Sequence, residues 1–269
     1  MSYRTILFHA EPPPHSQARA RCVIDLADRF GATLVGLAAE AIPPLEATDP
    51  YGLMAPTWVE AMRDNQEAHL IAAEAEFRRQ AGARPVEWRS VLGRPTDALH
   101  EAARAADLIV VAGGSPAHPH GFRTVDRGEL VLRSGRPVLC APSNADYLSA
   151  QNILVCWKDC REARRALHDA MPLLARANDV LLLSVAEGAP AAIADDVCAA
   201  LKRHGVKARA EAAQEDSRVS DTILHRAFRV GADLIVAGAY GHTRLGERIF
   251  GGATRDLLDQ DQSFVLFSH

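Results

Sequence analysis

Ala106-Asp107-Leu108-Ile109-Val110-Val111-Ala112-Gly113 recurs further along the chain as Ala232-Asp233-Leu234-Ile235-Val236-Ala237-Gly238. Both copies are apolar, largely β-branched runs that end in glycine. Such a run reads as a strand covered on both faces that stops at a turn. Working outward, each copy follows a helical stretch carrying a Leu-His pair, Leu99-His100 in one case and Leu224-His225 in the other. The openings correspond too: Arg4-Thr5-Ile6-Leu7-Phe8 against Gln151-Asn152-Ile153-Leu154-Val155. So do the ends, Pro137-Val138-Leu139-Cys140 against Phe264-Val265-Leu266-Phe267. A shared order of several elements marks an internal repeat. It divides the chain into units over 1–143 and 152–269, joined by the polar segment 143–151.

Within each unit, strand and helix alternate. Strands are predicted over 5–9, 33–38, 86–91, 107–112 and 137–141, and helices over 16–30, 59–80, 96–105 and 127–133. The second unit repeats the series, with strands over 152–157, 179–185, 207–212, 233–238 and 263–267 and helices over 161–177, 191–204, 220–230 and 253–259. Alternation of this kind, with nearly continuous apolar strands, predicts an α/β fold of two tandem open parallel five-stranded sheets with helices on both faces. The last strand of each unit would be an apolar edge, which invites pairing. The halves are therefore expected to pack as a pseudo-twofold pair, with 137–141 and 263–267 near the shared interface.

Composition narrows the function classes. Of 269 residues, 48% are hydrophobic and 24% charged, the balance of a soluble globular chain rather than a disordered one. A formal net charge of −4 argues against a dedicated nucleic-acid binder, which would carry a basic surplus or stripe. The apolar run Ile6-Leu7-Phe8 is too short for a signal peptide, and runs such as 180–183 and 234–237 have strand length, not membrane-span length. The five cysteines, Cys22, Cys140, Cys156, Cys160 and Cys198, show neither a disulfide framework nor zinc-module spacing. Reduced, mostly buried thiols and a cytoplasmic location are expected. His118 and His120 lie on a Pro-rich loop without a nearby third ligand, so they read as loop residues rather than a metal site. The Arg-rich start 161–165, with Glu162, reads as a solvated helix face, and 43–56 as a surface excursion.

In open parallel sheets, ligands collect outside the carboxyl ends of the strands, near the switch in strand order. After the strand over 233–238 the chain reads Gly238-Ala239-Tyr240-Gly241-His242-Thr243-Arg244-Leu245-Gly246-Glu247-Arg248-Ile249-Phe250-Gly251-Gly252-Ala253-Thr254. Gly238 and Gly241 allow a tight turn and close approach to a ligand. Gly251 and Gly252 precede a short helix, whose free N–H groups suit phosphate. Arg244 and Arg248 add positive charge, His242 lies beside them, and Thr254 offers a hydroxyl. Together they form a candidate polyphosphate cradle.

This stretch resembles the nucleotide loop of the universal stress protein family: glycine, two residues, glycine, nine residues, glycine, then Ser or Thr, with Gly238, Gly241 and Gly251 in place. The opening Ile153-Leu154-Val155-Cys156-Trp157-Lys158-Asp159-Cys160-Arg161-Glu162-Ala163 is similar to the family's first strand and helix. The resemblance spans nearly the whole chain. It implies the family's adenine nucleotide alpha hydrolase-like, Rossmann-like fold. It also implies binding of ATP, with or without Mg²⁺, mainly in the second half. Cys156, Trp157 and Lys158 would face the nucleoside, Val185 the adenine, and the segment from Ala237 through Gly238, Gly241, His242, Arg244, Arg248, Gly251, Gly252, Ala253 and Thr254 the phosphates.

The chain departs from the family pattern in places. Gly252 stands where Ser or Thr is expected, and Lys158 where ATP-binding members carry an acid near the ribose, with Asp159 adjacent. In the first half, Ser115-Pro116-Ala117-His118-Pro119-His120-Gly121 follows the strand, and Thr124-Val125-Asp126 replaces the glycine pair. His9-Ala10-Glu11-Pro12-Pro13-Pro14 places a carboxylate and rigid rings beside that cradle. A carboxylate repels polyphosphate and proline removes N–H donors, so this first loop reads as degenerate.

The resemblance implies a stress-response protein that uses one adenine nucleotide as a switch, with an unidentified protein partner, an intrachain pseudo-dimer, and a homodimer left open. A protein-interaction role with both cradles decayed, and a slow ATPase or nucleotidyl transferase, are the alternatives. No Ser/His/Asp or Cys/His set is placed together by strand ends, which leaves a catalytic role with little support.

Overall fold

The computed structural model describes residues 2–12, 17–43, 55–114, 122–185, 191–214, 218–241 and 252–269. The first half runs β1 (Thr5–His9), α1 (Gln17–Phe30), β2 (Thr33–Glu40), α2 (Ala55–Ala81), β3 (Glu87–Leu92), α3 (Pro95–Ala102), β4 (Leu108–Ala112), α4 (Arg127–Ser134) and β5 (Val138–Ala141). The second runs β6 (Asn152–Cys156), α5 (Arg161–Asp169), α6 (Met171–Leu174), β7 (Asp179–Val185), α7 (Ala191–Arg203), β8 (Ala208–Ala213), α8 (Val219–Val230), β9 (Leu234–Gly238), α9 (Gly252–Asp259) and β10 (Phe264–Ser268). A 3₁₀ turn, Ala103–Ala105, finishes the stretch predicted as a single helix over 96–105. The helix predicted over 161–177 is divided at Ala170. Pro172 has no N–H to donate to the carbonyl of His168, so the α-helical ladder cannot run through it.

The two predicted sheets join into one ten-stranded sheet, in the order β3-β2-β1-β4-β5-β10-β9-β6-β7-β8. Within each half the strands are parallel. The seam is the antiparallel pair β5·β10, with Val138 opposite Phe267, Leu139 opposite Leu266 and Cys140 opposite Val265. The two terminal strands thus meet as expected, and pairing satisfies backbone groups that two separate sheets would leave at open edges.

Strand alternation builds a core on each face. Ile6, Phe8, Leu34, Ile153, Val155, Leu182 and Leu266 face one side, covered by α1, α2, α5, α6 and α7. Leu7, Leu37, Ile109, Leu154, Leu181, Ile235 and Phe267 face the other, covered by α3, α4, α8 and α9. Period-two alternation in strands that are apolar throughout is what a doubly covered sheet requires. In each half the order reverses between the first and fourth strands, between β1 and β4 and between β6 and β9. Those two clefts are where a ligand would lie.

Candidate functional site

At the β6/β9 cleft, Cys156 stands in register with Ala237, and Trp157 donates its N–H to the carbonyl of Leu183 at 2.8 Å. Side chains then part company. Cys156, Val185 and Tyr240 pack toward the face of α8 and α9, whereas Trp157 is 7% exposed within the opposite core. Burial raises the Cys156 thiol to about 12, so the sulfur stays protonated. Lys158 is exposed. Asp159, the neighbour that could stand in for the ribose acid, is held by Arg164, whose Nε donates to Oδ1 at 3.1 Å.

Gly238 is where the cleft is tightest. A Cβ there would lie 2.5 Å from the carbonyl carbon of Glu162 and 2.6 Å from the nitrogen of Ala163. Only glycine lets the first turn of α5 rest directly on β9. Gly241 packs on the same turn, with a Cβ position 3.1 Å from both Cys160 Sγ and Glu162 Oε2. Gly252 differs. It opens α9 without a left-handed backbone, and among the described residues outside its neighbours and α9 none comes within 4 Å of its Cβ position. Thr254, in the same first turn, accepts the backbone N–H of Tyr240 on Oγ1 at 3.4 Å, so α9 is tied to the turn after β9. His242, Arg244, Arg248 and Gly251 lie outside the described residues.

Four groups at this cleft were not singled out by sequence. Glu162, read there as part of a solvated face, has a side chain only 12% exposed, while Arg161 beside it is 74% exposed. Burial pushes its carboxyl upward. Its own backbone N–H, the Cys160 thiol, Arg161 and His269 together outweigh that and hold it below the usual range. The periodic signal was present: Glu162 adjoins the inward stripe Ala163, Ala166 and Ala170. His269 lies with Nδ1 3.0 Å from the carbonyl oxygen of Ala239 and Nε2 3.4 Å from a guanidinium nitrogen of Arg161. Cys160 occupies the position before α5 without capping it through its side chain.

Tyr240 is the fourth. It holds φ 60, a backbone conformation that costs a non-glycine residue on the order of 1 kcal/mol. Its ring reaches across to the first half, where a Cβ on Gly128 would lie 2.5 Å from the phenol oxygen. Burial first, then Asp126 and Asp259, raise the phenol to about 12. It borders a cleft of about 360 Å³ between the start of α4 and the later part of α9, lined also by Asp126, Arg127, Arg255 and Asp259.

The β1/β4 cleft is built otherwise. Arg19 of α1 is 3% exposed and paired with Glu11, just beyond β1, and burial lowers its guanidinium to about 10. Gly114, at φ +75, is packed by Asp261 of the second half, 2.7 Å from its Cβ position to the aspartate Cβ. The N-terminus of α4 is already capped: Asp126 Oδ1 accepts the N–H of Glu129 at 2.9 Å. His118 and His120, and nearly all of the excursion over 43–56, lie outside the described residues. Among the described residues no group of three metal-binding side chains occurs, and no helix is long and apolar enough to cross a membrane. The five cysteines are free thiols.

No protein-family model and no curated protein matches the sequence. Solved structures do match. A universal stress protein from Archaeoglobus fulgidus DSM 4304 superposes with a TM-score of 0.70 at 14% identity, covering 98% of this chain and 97% of that one. A functionally unknown protein from Pseudomonas aeruginosa PAO1 gives 0.58 at 17%, covering 99% and 92%. A protein of Pseudomonas aeruginosa UCBPP-PA14, provisionally assigned to the universal stress proteins, gives 0.58 at 16%, covering 99% and 93%. Over nearly its whole length, this chain has the fold of a universal stress protein.

Proposed function

We propose that this chain is a cytoplasmic stress-response switch that binds ATP or a related adenine nucleotide at the carboxyl ends of β6 and β9. One nucleotide is bound per chain, with little or no turnover, and an unidentified protein partner reads the state. Residues 1–143 and 152–269 are then two universal-stress-protein-like units, of which the first keeps the fold without the site. The supporting observation is the contrast between the two clefts. In the first, Glu11 is paired with Arg19, Asp261 packs on Gly114, and Asp126 already caps the start of α4. In the second, glycine stands at Gly238, Gly241 and Gly252, and among the described residues outside its neighbours and α9 none comes within 4 Å of the Gly252 Cβ position.

In this reading Cys156, Lys158, Val185 and Ala237 border the nucleoside, and buried Trp157 shapes the cleft from beneath. Gly238, Gly241, Gly251, Gly252, Ala253 and Thr254 offer backbone and hydroxyl donors to the phosphates, with charge from His242, Arg244 and Arg248. Mg²⁺ accompanies ATP. Calorimetric titration of ATP should give one site per chain at about micromolar affinity, or about 8 kcal/mol. Gly241→Val should abolish it, since its Cβ would crowd Cys160 and Glu162 at 3.1 Å. Two equal sites, or binding retained in Gly241→Val, would overturn the reading.

A further inference from the structure

Among the described residues, β3 and β8 are the outermost strands of the sheet. β8 reads Ala208-Arg209-Ala210-Glu211-Ala212-Ala213 and pairs in parallel with β7, from Val180 opposite Ala208 to Val185 opposite Ala213. In a strand the N–H and C=O of one residue point to the same side, and successive residues alternate. Val180 donates its N–H to the carbonyl of Lys207 at 3.0 Å, so the odd-numbered residues of β8 turn their backbone to β7. Ala208, Ala210 and Ala212 turn theirs to the open side, where the Ala208 N–H is taken up by the carbonyl of Val206 at 3.0 Å. The strand holds no proline, and its outward backbone groups belong to alanines too small to shield them. Such an edge is a template for a further strand.

Its charges say which strand fits. Arg209 and Glu211 lie two apart, on one face of the sheet. Arg209 is held by Asp179 at 3.1 Å and Glu211 by Arg226 of α8, yet their side chains stay 48% and 29% exposed. An antiparallel strand of the same sequence, centred on Ala210, sets Arg209 opposite the second copy's Glu211, and Glu211 opposite the second copy's Arg209. The backbone agrees with this register. The two Ala210 residues then exchange N–H···O bonds, and each Arg–Glu pair falls at a non-hydrogen-bonded position, where side chains come closest. A centre at Arg209 or Glu211 would present backbone groups already given to β7. A centre at Ala208 sets Arg209 against Lys207, and one at Ala212 sets Glu211 against Ala213. β3 is less suited, because it opens at Glu87, two residues after Pro85, and its Glu87 and Arg89 could pair about Trp88 over three residues only.

We propose that β8 is a self-complementary edge through which two copies of this chain associate, by antiparallel β8–β8 pairing about Ala210. The contact is isologous and closes at two copies. The charges Asp179, Arg209, Glu211 and Arg226 alternate in sign across it, so association weakens with salt.

The test is sedimentation velocity on the full chain, from low micromolar to several hundred micromolar. Wild type should shift from monomer to dimer. Arg209→Glu and Glu211→Arg each set like charges opposite one another twice per dimer, and each should weaken association about tenfold or more. Mixed in equal amounts, the two variants again oppose unlike charges at both pairs, and a heterodimer should form about as tightly as wild type. A loss caused only by breaking the pairs with Asp179 or Arg226 would not be rescued by mixing. Ala210→Pro removes an N–H that faces the open side and leaves the ladder to β7 intact, so this variant should fold and remain a monomer. It supplies the answer should a charge variant fail to fold. A wild-type monomer at every concentration, a dimer that survives Ala210→Pro, no rescue on mixing, or growth beyond two copies would each overturn the proposal.

Discussion

Gly252→Ser is the substitution that most sharply separates a phosphate role from a backbone role at the start of α9. The position does not hold a left-handed backbone, and among the described residues outside its neighbours and α9 none lies within 4 Å of where a Cβ would be. Serine therefore displaces none of the described residues. Losing glycine's unfolded-state freedom should stabilise the fold slightly, by about 0.5 kcal/mol. In the bound state the new hydroxyl can donate to a terminal phosphate. A hydrogen bond to a charged group contributes about 1.5–3 kcal/mol. Because Gly252 is exposed, the low end applies, and about 1.5 kcal/mol corresponds to about a tenfold gain in affinity. That gain belongs to ATP; ADP and AMP, which end short of the hydroxyl, should change much less. Calorimetry with the three nucleotides on both forms, with thermal unfolding as a control, reads it out. Uniform weakening, or equal affinities throughout, would refute this account of the phosphate end.

Gly238→Ala should cost about 3 kcal/mol in urea unfolding, because its methyl meets the backbone of Glu162 and Ala163 rather than a movable side chain. A change under about 0.5 kcal/mol would mean α5 is free to shift. His9 is 2% exposed, and burial, then Arg19, lower its imidazole from 6.5 to about 3. The unfolded chain takes up that proton first. The neutral ring's contribution is thus complete above about pH 6.5 and is lost as pH falls toward 3, at about 1.4 kcal/mol per pH unit. His9→Gln should therefore lose about 2 kcal/mol less stability than wild type between pH 7 and pH 5. Identical losses would show that the folded ring takes up its proton freely.

Much of the fold was legible because its signals are repeated. The matching runs at Leu108–Ala112 and Leu234–Gly238 are each interior strands, bordered by the strands that open and close the unit. The joining of β5 to β10 followed from edge chemistry, since apolar strands such as Phe264–Ser268 cannot end a sheet in water. The division of the helix after Asp169 was readable from Pro172 but was outweighed by the surrounding periodicity.

The site was less legible, for reasons of direction and distance. Trp157 follows a strand end, which suggested a ligand contact, but alternation turned its ring into the core behind α5 and α7. Glu162 was hidden by its three arginine neighbours, whose charge made the whole turn look solvated. Tyr240 against Gly128 and Asp261 against Gly114 join residues far apart in sequence, and no local pattern announces them. The first loop's prolines, in 115–121, lie outside the described residues. The Asp126 cap and the buried Glu11–Arg19 pair beside the β1/β4 cleft needed the fold.

The central claim is that the nucleotide occupies the second half alone, and photo-crosslinking tests its location directly. The protein is irradiated with 8-azido-ATP, with unlabelled ATP as competitor, and the labelled peptides are mapped by mass spectrometry. The account predicts competable label on peptides bearing Cys156–Lys158, Val185 or the turn beginning at Gly238. Competable label on peptides bearing Glu11, Arg19 or Asp126 would contradict it.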